Sequence, residues 1–198
     1  CPSGLDAVRI ATRMIRDQQA DLVIAGGADS PLNQAAVAGF AAAGLPSLST
    51  EFPPGEISRP FDAKRTGVVL SEGAAFLVLE RLDAALARGA TPYMEILGGA
   101  LVLDTPGAEK MDGLLQSMNL ALENSGTYPE QIDYVCANAY GSPLGDSAEV
   151  MWIKKCLGAR AFQIPVSSIR GVLGHALSAA GMSQLITCAL MMQHEMVI

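Results

Sequence analysis

The sequence predicts a layered α/β protein. Short apolar runs alternate along the chain with amphipathic segments, and half of the 198 residues are hydrophobic. Continuous apolar strands belong to sheets that are covered on both faces, and their alternation with helices is typical of α/β folds. No low-complexity linker divides the chain, so we expect these elements to form one domain.

The first half of the chain predicts helices around two strand regions. Val8, Ala11 and Ile15 recur at near-helical spacing, which indicates an amphipathic helix. Several prolines after residue 31 favour a short helix followed by a long surface excursion. The predicted elements are a helix over 5–16, a strand over 21–30 closed by Gly26-Gly27, mixed structure over 31–66, a strand region over 67–80 interrupted by Gly73, and a helix over 82–89 stopped by Gly89.

The second half repeats this alternation. One helix is predicted to begin at Asp146 as its N-cap, with Glu149 in the capping-box position. The last helix is nearly all apolar, so it must be buried on most sides. The predicted elements are a strand over 92–103, a helix over 111–126 ended by Gly126, a strand over 132–137, a helix over 146–158, a strand over 163–168 and a helix over 175–193.

The bulk composition restricts the class of function. A net charge of -7 argues against a nucleic-acid partner, whose phosphates require a basic face. No apolar run approaches the roughly 18–20 residues that span a bilayer, and no signal peptide is visible. The cysteines at 1, 136, 156 and 188 form no CxxC pair and no metal-type cluster with the two histidines. We therefore expect a cytoplasmic protein with free thiols, no metal and no membrane insertion.

The two ends of the chain indicate a fragment. The sequence starts at Cys1 rather than at a methionine, and it stops at Val197-Ile198, in residues typical of the beginning of a strand. We expect the chain to be part of a longer protein, and any function belongs to that protein.

Cys1 precedes a predicted helix that starts with Pro2-Ser3-Gly4. A thiol at a helix N-terminus meets unsatisfied N–H groups and the positive end of the helix dipole, which lower the thiol pKa and favour the nucleophilic thiolate. The small residues that follow would let a substrate approach the backbone. Position alone leaves two interpretations open, a nucleophile or merely the residue where a fragment begins.

His175 is predicted to open the long buried helix after Gly174. The dipole disfavours imidazolium there, so we expect a neutral histidine that donates one N–H. A satisfied structural histidine is the alternative, and it is the more frequent case. Gly26-Gly27 is no dinucleotide signature, because there is no GxGxxG and no clear helix start after it.

Several motifs, in order along nearly the whole chain, resemble the β-ketoacyl-[acyl carrier protein] synthases, the condensing enzymes of fatty acid and polyketide synthesis. CPSGLDAV resembles the family's nucleophilic cysteine segment, as it stands in the ketosynthases of bacterial aromatic polyketide systems. DLVIAGGADS, SRPFDAKRTGVVLSEGAAFLVLE and RGATPYMEI follow in the family's order. IDYVCANAYGSPLGDSAE aligns without a gap on N-A-H-G-T-x-T-P-L-x-D, and VSSIRGVLGHALSAAG aligns on the lysine and second-histidine motif.

The resemblance implies an incomplete thiolase-like α-β-α-β-α fold, with about 1–91 at the end of the family's N-terminal half and about 92–198 at the start of its C-terminal half. It implies a decarboxylative Claisen condensation of an acyl thioester with malonyl-carrier, with Cys1 as the acyl-carrying nucleophile and His175 as a catalytic donor. The implied partners are an acyl carrier protein and a second ketosynthase-like subunit, in a homodimer or a heterodimer. No cofactor is implied beyond the phosphopantetheine on the carrier.

Three positions depart from the family pattern. Asn138 stands where the family has its first catalytic histidine; an amide donates a hydrogen bond to an oxygen but does not exchange a proton at neutral pH. Arg170 replaces the family's lysine, which changes a point charge into a planar, forked guanidinium. We expect Arg170 to organise the pocket. Gln184 stands where a glutamate is usual.

These departures leave three functional hypotheses. The leading one is an elongating ketosynthase in which Asn138 and His175 donate to the thioester oxygen. The others are a thiolase-fold acyltransferase that uses Cys1 without decarboxylating malonyl groups, and a non-condensing partner subunit of a ketosynthase heterodimer. Retention of Cys1 argues against the partner subunit, because such subunits typically lack the cysteine.

Overall fold

The computed structural model describes residues 1–104 and 112–198. They form two compact units, and each unit is assembled from stretches that are separate in the sequence. The first unit contains residues 1–30, 72–97 and 176–198, and the second contains residues 31–71 and 98–175. None of the helices within these described ranges is long and apolar enough to cross a membrane.

The first unit is a two-stranded antiparallel sheet packed against two long helices. The strands are paired from Leu22 opposite Glu80 to Asp29 opposite Gly73. The unit's elements are α1 (Ser3–Arg16), β1 (Leu22–Asp29), β2 (Gly73–Glu80), α3 (Leu82–Ala87) and α7 (Ser178–His194).

Helix α1 forms because its apolar residues recur on one face. Val8, Ala11 and Ile15 are buried, and Val8 and Ala11 pack with Ala25 of β1 and Met182 of α7 in the core of this unit. The prediction of a helix over 5–16 is confirmed. The predicted strand over 21–30 is also confirmed, except that Gly26-Gly27 does not close it, because both glycines continue the ladder opposite Phe76 and Ala75.

The second unit contains a short parallel pair of strands with helices around it. Val135 pairs with Val166 and Cys136 with Ser167. The unit's elements are α2 (Gln34–Ala42), α4 (Gly113–Ser125), β3 (Val135–Cys136), α5 (Pro143–Leu157), β4 (Val166–Ser167) and α6 (Arg170–Leu173). Its apolar core lies beside β3, where Ala137 and Ala139 pack with Ile153 and Leu157 of α5.

Both strands of the parallel pair are shorter than predicted. The predicted strands 132–137 and 163–168 are confirmed only at two residues in the second half of each. Pro165 precedes β4 and has no N–H to donate, so it only accepts, from the N–H of Val135 at 3.2 Å. A proline at this position limits how far the ladder extends.

The predicted strand over 92–103 is wrong, because no strand is assigned there. A strand requires a neighbouring backbone, whereas these carbonyl groups accept hydrogen bonds from side chains. The Arg16 guanidinium donates to Ile96 O and Leu97 O, and Asn124 Nδ2 donates to Gly99 O. The predicted helix over 111–126 is confirmed as α4 up to its left-handed cap at Gly126, while Met111 lies outside the described residues.

Candidate active site

Cys1 lies in the first unit, directly before the N-terminal end of α1, and it is exposed. The helix has Pro2 in the N-cap position and no side-chain hydrogen bond to its first turn. First-turn N–H groups that no side chain satisfies are the feature that stabilises an anion at a helix N-terminus. The surroundings of Cys1 are therefore those expected of a nucleophilic thiol.

Asn138 and Arg170 are brought together in the second unit, although one follows β3 and the other begins α6. Arg170 Nη2 donates to Asn138 Oδ1 at 3.1 Å. Arg170 is 2% exposed, whereas Asn138 is exposed. Because a guanidinium only donates hydrogen bonds, it must face the amide oxygen, and this fixes the orientation of the Asn138 amide. The other terminal atom of the amide, Nδ2, carries its N–H donors.

Arg170 is held by its backbone as well as by its burial. Ser58 Oγ donates to Arg170 O at 2.6 Å, and Arg170 N donates to Ser168 Oγ at 3.2 Å. Burial lowers the pKa of Arg170 to about 10, so the guanidinium is charged at neutral pH. A fixed positive charge is therefore built into the second unit beside Asn138.

His175 lies in the same unit, and its imidazole is neutral at physiological pH. Burial, followed by the charge of Arg170, lowers the pKa of His175 to about 4. A neutral imidazole carries one N–H to donate and one nitrogen to accept. Its Nδ1 is fully buried and has no hydrogen-bond partner within the part of the chain that the structure describes.

His175 does not open the long helix, contrary to the sequence prediction. Helix α7 begins at Ser178, after Leu177 with φ 45°. The backbone of His175 instead pairs with an extended segment: His175 N donates to Val69 O at 2.8 Å, and Ser71 N donates to His175 O at 3.1 Å. The imidazole is therefore neutral because of burial and the charge of Arg170, rather than because of a helix dipole.

Glu149 anchors the loop that carries Asn138. Its two carboxylate oxygens accept hydrogen bonds from the backbone N–H groups of Asn138 and Ala139, each at 2.7 Å. Burial raises the pKa of Glu149, and the two N–H donors act in the opposite direction. Glu149 thus fixes the backbone of Asn138 while Arg170 fixes its side chain.

Asp146 anchors the next part of the same loop and is not the N-cap that the sequence predicted. The N-cap of α5 is Ser142, whose Oγ accepts from Gly145 N at 3.0 Å. The 1% exposed carboxylate of Asp146 points back from the helix and accepts from the backbone N–H groups of Tyr140, Gly141 and Phe61 at 3.0–3.1 Å. A proline at the first helical position starts α5 earlier than the predicted 146–158.

The structure thus gathers Asn138, Arg170 and His175 within one unit, while Cys1 belongs to the other. Gln184, the third departure, is buried in α7 of the first unit. Sequence analysis missed Tyr140, whose ring stacks on that of His175 with centroids 5.4 Å apart and planes 19° apart. The only local signal was an aromatic residue where the aligned motif has a small threonine.

Two family models match almost the whole chain. The model of the beta-ketoacyl synthase N-terminal domain matches residues 1–85, and that of the beta-ketoacyl synthase C-terminal domain matches residues 95–198. The chain is also 39% identical over 204 residues to the tetracenomycin polyketide synthase ketoacyl synthase alpha subunit of Streptomyces glaucescens. That match covers 100% of this chain and 47% of the relative.

Two solved structures have the same fold at 31% and 34% identity. One is a type II PKS acyl-carrier protein in complex with its ketosynthase bound to the hexaketide, with a TM-score of 0.91 over 96% of this chain and 48% of that chain. The other is the ishigamide ketosynthase/chain length factor, with a TM-score of 0.85 over 98% of this chain and 46% of that chain.

The chain spans about half the length of these relatives, and its mixed α/β fold is that of the thiolase-like ketosynthases. With both family models matched and the fold shared, this chain belongs to the β-ketoacyl synthase family.

Proposed function

We propose that the whole protein is a β-ketoacyl-[acyl carrier protein] synthase, an acyltransferase of fatty acid or polyketide synthesis with an atypical cysteine, asparagine and histidine set. In the first step the Cys1 thiolate attacks an acyl-carrier thioester; a new S–C bond forms and the carrier's thiolate leaves. In the second step malonyl-carrier loses carbon dioxide, and the resulting enolate attacks the acyl-cysteine. A C–C bond forms, and the Cys1 thiolate is released.

The hydrogen bond between Arg170 and Asn138 is the observation that carries this proposal. Decarboxylation needs hydrogen-bond donors aimed at the thioester oxygen, where negative charge develops. An asparagine that turned its oxygen toward the substrate would repel this charge. Because Arg170 binds the amide oxygen, Asn138 presents its N–H group instead, so the electrostatic role of the family's histidine survives the substitution.

We assign the second donor to His175. The lowered pKa is compatible with this role, because a neutral imidazole still carries one N–H that it can donate to a developing oxyanion. Neither donor of this set exchanges a proton readily at pH 7, so the proposed site acts by charge stabilisation rather than by general acid–base catalysis.

We further propose an acyl carrier protein and a second ketosynthase-like subunit as partners, in the cytoplasm and with no cofactor beyond the carrier's phosphopantetheine. The two solved relatives support these partners, since one is a ketosynthase in complex with an acyl-carrier protein and the other is a ketosynthase/chain length factor. Within this assembly, residues 1–91 would end the N-terminal half of the ketosynthase domain, and residues 92–198 would begin the C-terminal half.

The test uses the full-length protein with acyl-carrier and malonyl-carrier proteins. Mass spectrometry measures acylation of Cys1, and carbon dioxide release is measured separately. The proposal predicts both. No acylation would overturn it in favour of a non-condensing subunit, and acylation without carbon dioxide release would support the acyltransferase alternative.

A companion variant, Asn138→His, restores the usual family residue. If Asn138 and Arg170 act as an adapted pair, this variant decarboxylates more slowly than the natural protein. A gain in rate would identify Asn138 as a substitution that impairs decarboxylation.

A further inference from the structure

We propose that Tyr140 is a positioning residue, which holds the imidazole of His175 in its donating orientation by stacking on it. The inference rests on the proposed function for its catalytic meaning. Its structural part stands on contacts within the second unit alone, where both residues lie.

The two rings form a stacked pair. Their centroids are 5.4 Å apart, and their planes are within 19° of parallel. This separation falls inside the range in which stacked aromatic rings attract each other, roughly 4.5–7 Å. A stacked neighbour restricts rotation of the imidazole about its Cβ–Cγ bond, because rotation would drive the ring edge into the tyrosine.

His175 needs this restraint because, within the described residues, no hydrogen bond to its Nδ1 supplies it. Histidines that act at defined sites are usually oriented by a hydrogen bond to the second ring nitrogen. Here the His175 backbone is fixed by Val69 and Ser71, but its Nδ1 has no hydrogen-bond partner within the described ranges. Ring stacking is therefore the contact that sets the orientation of the side chain.

Tyr140 can act as a support because its backbone is hydrogen-bonded and its hydroxyl lies close to α5. Its backbone N–H donates to Asp146 Oδ1 at 3.1 Å. Its hydroxyl reaches the first turn of α5, where a Cβ atom added to Gly145 would stand 3.0 Å from it. The glycine leaves room for the tyrosine, so the ring is confined between α5 and His175.

The stacking pair is a property of this chain rather than of the family motif. In the ungapped alignment Tyr140 stands where the motif N-A-H-G-T has its threonine, and a threonine cannot stack on an imidazole. Each proposed donor is thus contacted by a residue that differs from the aligned motif: Arg170 binds Asn138, and Tyr140 stacks on His175.

The test compares Tyr140→Phe, which keeps the ring, with Tyr140→Leu, which keeps the apolar bulk without it. In the full-length protein labelled with carbon-13 at histidine Cε1, His175 is assigned from His175→Gln. Its Cε1–H resonance should show a ring-current shift that Phe retains and Leu removes. Carbon dioxide release should stay within about threefold for Phe and fall about 10–100-fold for Leu, because small misplacements of a donor are costly. Acylation of Cys1 should be unchanged in both.

The matched control is Tyr134→Leu, which removes a partly buried tyrosine whose hydroxyl lies 2.7 Å from Ser167 Oγ. A second variant, Gly145→Ala, should displace the Tyr140 hydroxyl and lower carbon dioxide release in the natural background, but less in Tyr140→Phe.

The inference is overturned if the Leu variant keeps the His175 resonance, or if it loses the shift and still releases carbon dioxide at the natural rate. If the natural protein releases no carbon dioxide, the proposed function fails. In that case the His175 resonance alone decides whether Tyr140 orients the ring.

Discussion

The two units of the chain support their candidate residues by different means. In the first unit, helix α1 behind Cys1 is held by close contact of small and apolar groups, with Gly4 pressed against the backbone of Ser178. In the second unit, the loop that carries Asn138 is held by hydrogen bonds to polar groups: the buried Asp146 and Arg170, and the partly buried Glu149.

This difference determines how each unit responds to substitution. A sterically packed helix tolerates neither added volume nor displacement. A hydrogen-bonded loop depends instead on which groups donate and which accept, so donor and acceptor residues can change together. Of the exchanged residues, Asn138, Tyr140 and Arg170 lie in the second unit and Gln184 lies in the first.

The largest effect is expected from Asp146→Ala in the second unit. The substitution removes the acceptor of three backbone N–H groups, and we expect a loss of about 3–5 kcal/mol in the free energy of unfolding. Chemical denaturation of the full-length protein measures it. The control is Asp133→Ala, at a side chain 90% exposed and paired with Arg160, where a loss of no more than about 1 kcal/mol is expected. Equal losses for the two variants would contradict the account.

The first unit should be sensitive to volume instead. In Gly4→Ala the added methyl group would collide with Ser178 O and lie 2.8 Å from Met182 Cγ, so a loss of about 3 kcal/mol is expected. In the control, Gly39→Ala, nothing lies within 4 Å of the added group. There we expect a gain of up to about 1 kcal/mol from helix propensity. A stable Gly4→Ala protein would show that close packing does not hold α1.

The loss of stability in acid should come from the second unit, and it should be smaller than the losses caused by the two substitutions above. The folded-state pKa of His175 is about 4, against 6.5 for an ordinary histidine. Its contribution to stability is therefore present above pH 6.5 and is lost as the pH falls toward 4, by on the order of 2–3 kcal/mol. The raised pKa of Glu149 acts in the opposite direction, since the stability that Glu149 contributes is lost as the pH rises.

The measurement for His175 is the free energy of unfolding of the natural protein and of His175→Gln between pH 7 and pH 4. The acid-induced loss should be smaller in the variant. Identical pH profiles would show that His175 is not held neutral by its surroundings.

Features encoded locally could be predicted from the sequence. Helix α1 follows from the spacing of its apolar residues, and α4 ends at Gly126 because that residue adopts a left-handed conformation at φ 65°. The prediction of a strand over 92–103 was wrong because apolar composition does not supply a pairing partner. Asp146 looked like a helix cap because it stands near the start of α5. It instead accepts hydrogen bonds from the preceding loop and from Phe61, a residue distant in sequence.

The candidate site could be predicted in its residue types but not in its contacts. The motif alignment identified Asn138, Arg170 and His175. The bond from Arg170 to Asn138 and the stacking of Tyr140 on His175 join residues more than thirty positions apart. Only the tertiary structure brings such pairs together. It shows that substituted residues far apart in the sequence contact one another or a proposed donor.

Asn138→Asp tests the central claim most directly, because aspartate keeps the acceptor for Arg170 and replaces the N–H donor with a negatively charged oxygen. In the full-length protein, we expect carbon dioxide release from malonyl-carrier to fall about 10²–10³-fold, while acylation of Cys1 stays within a few-fold of the natural rate. Release within about threefold of the natural rate would contradict the claim that the Asn138 amide stabilises the thioester oxygen.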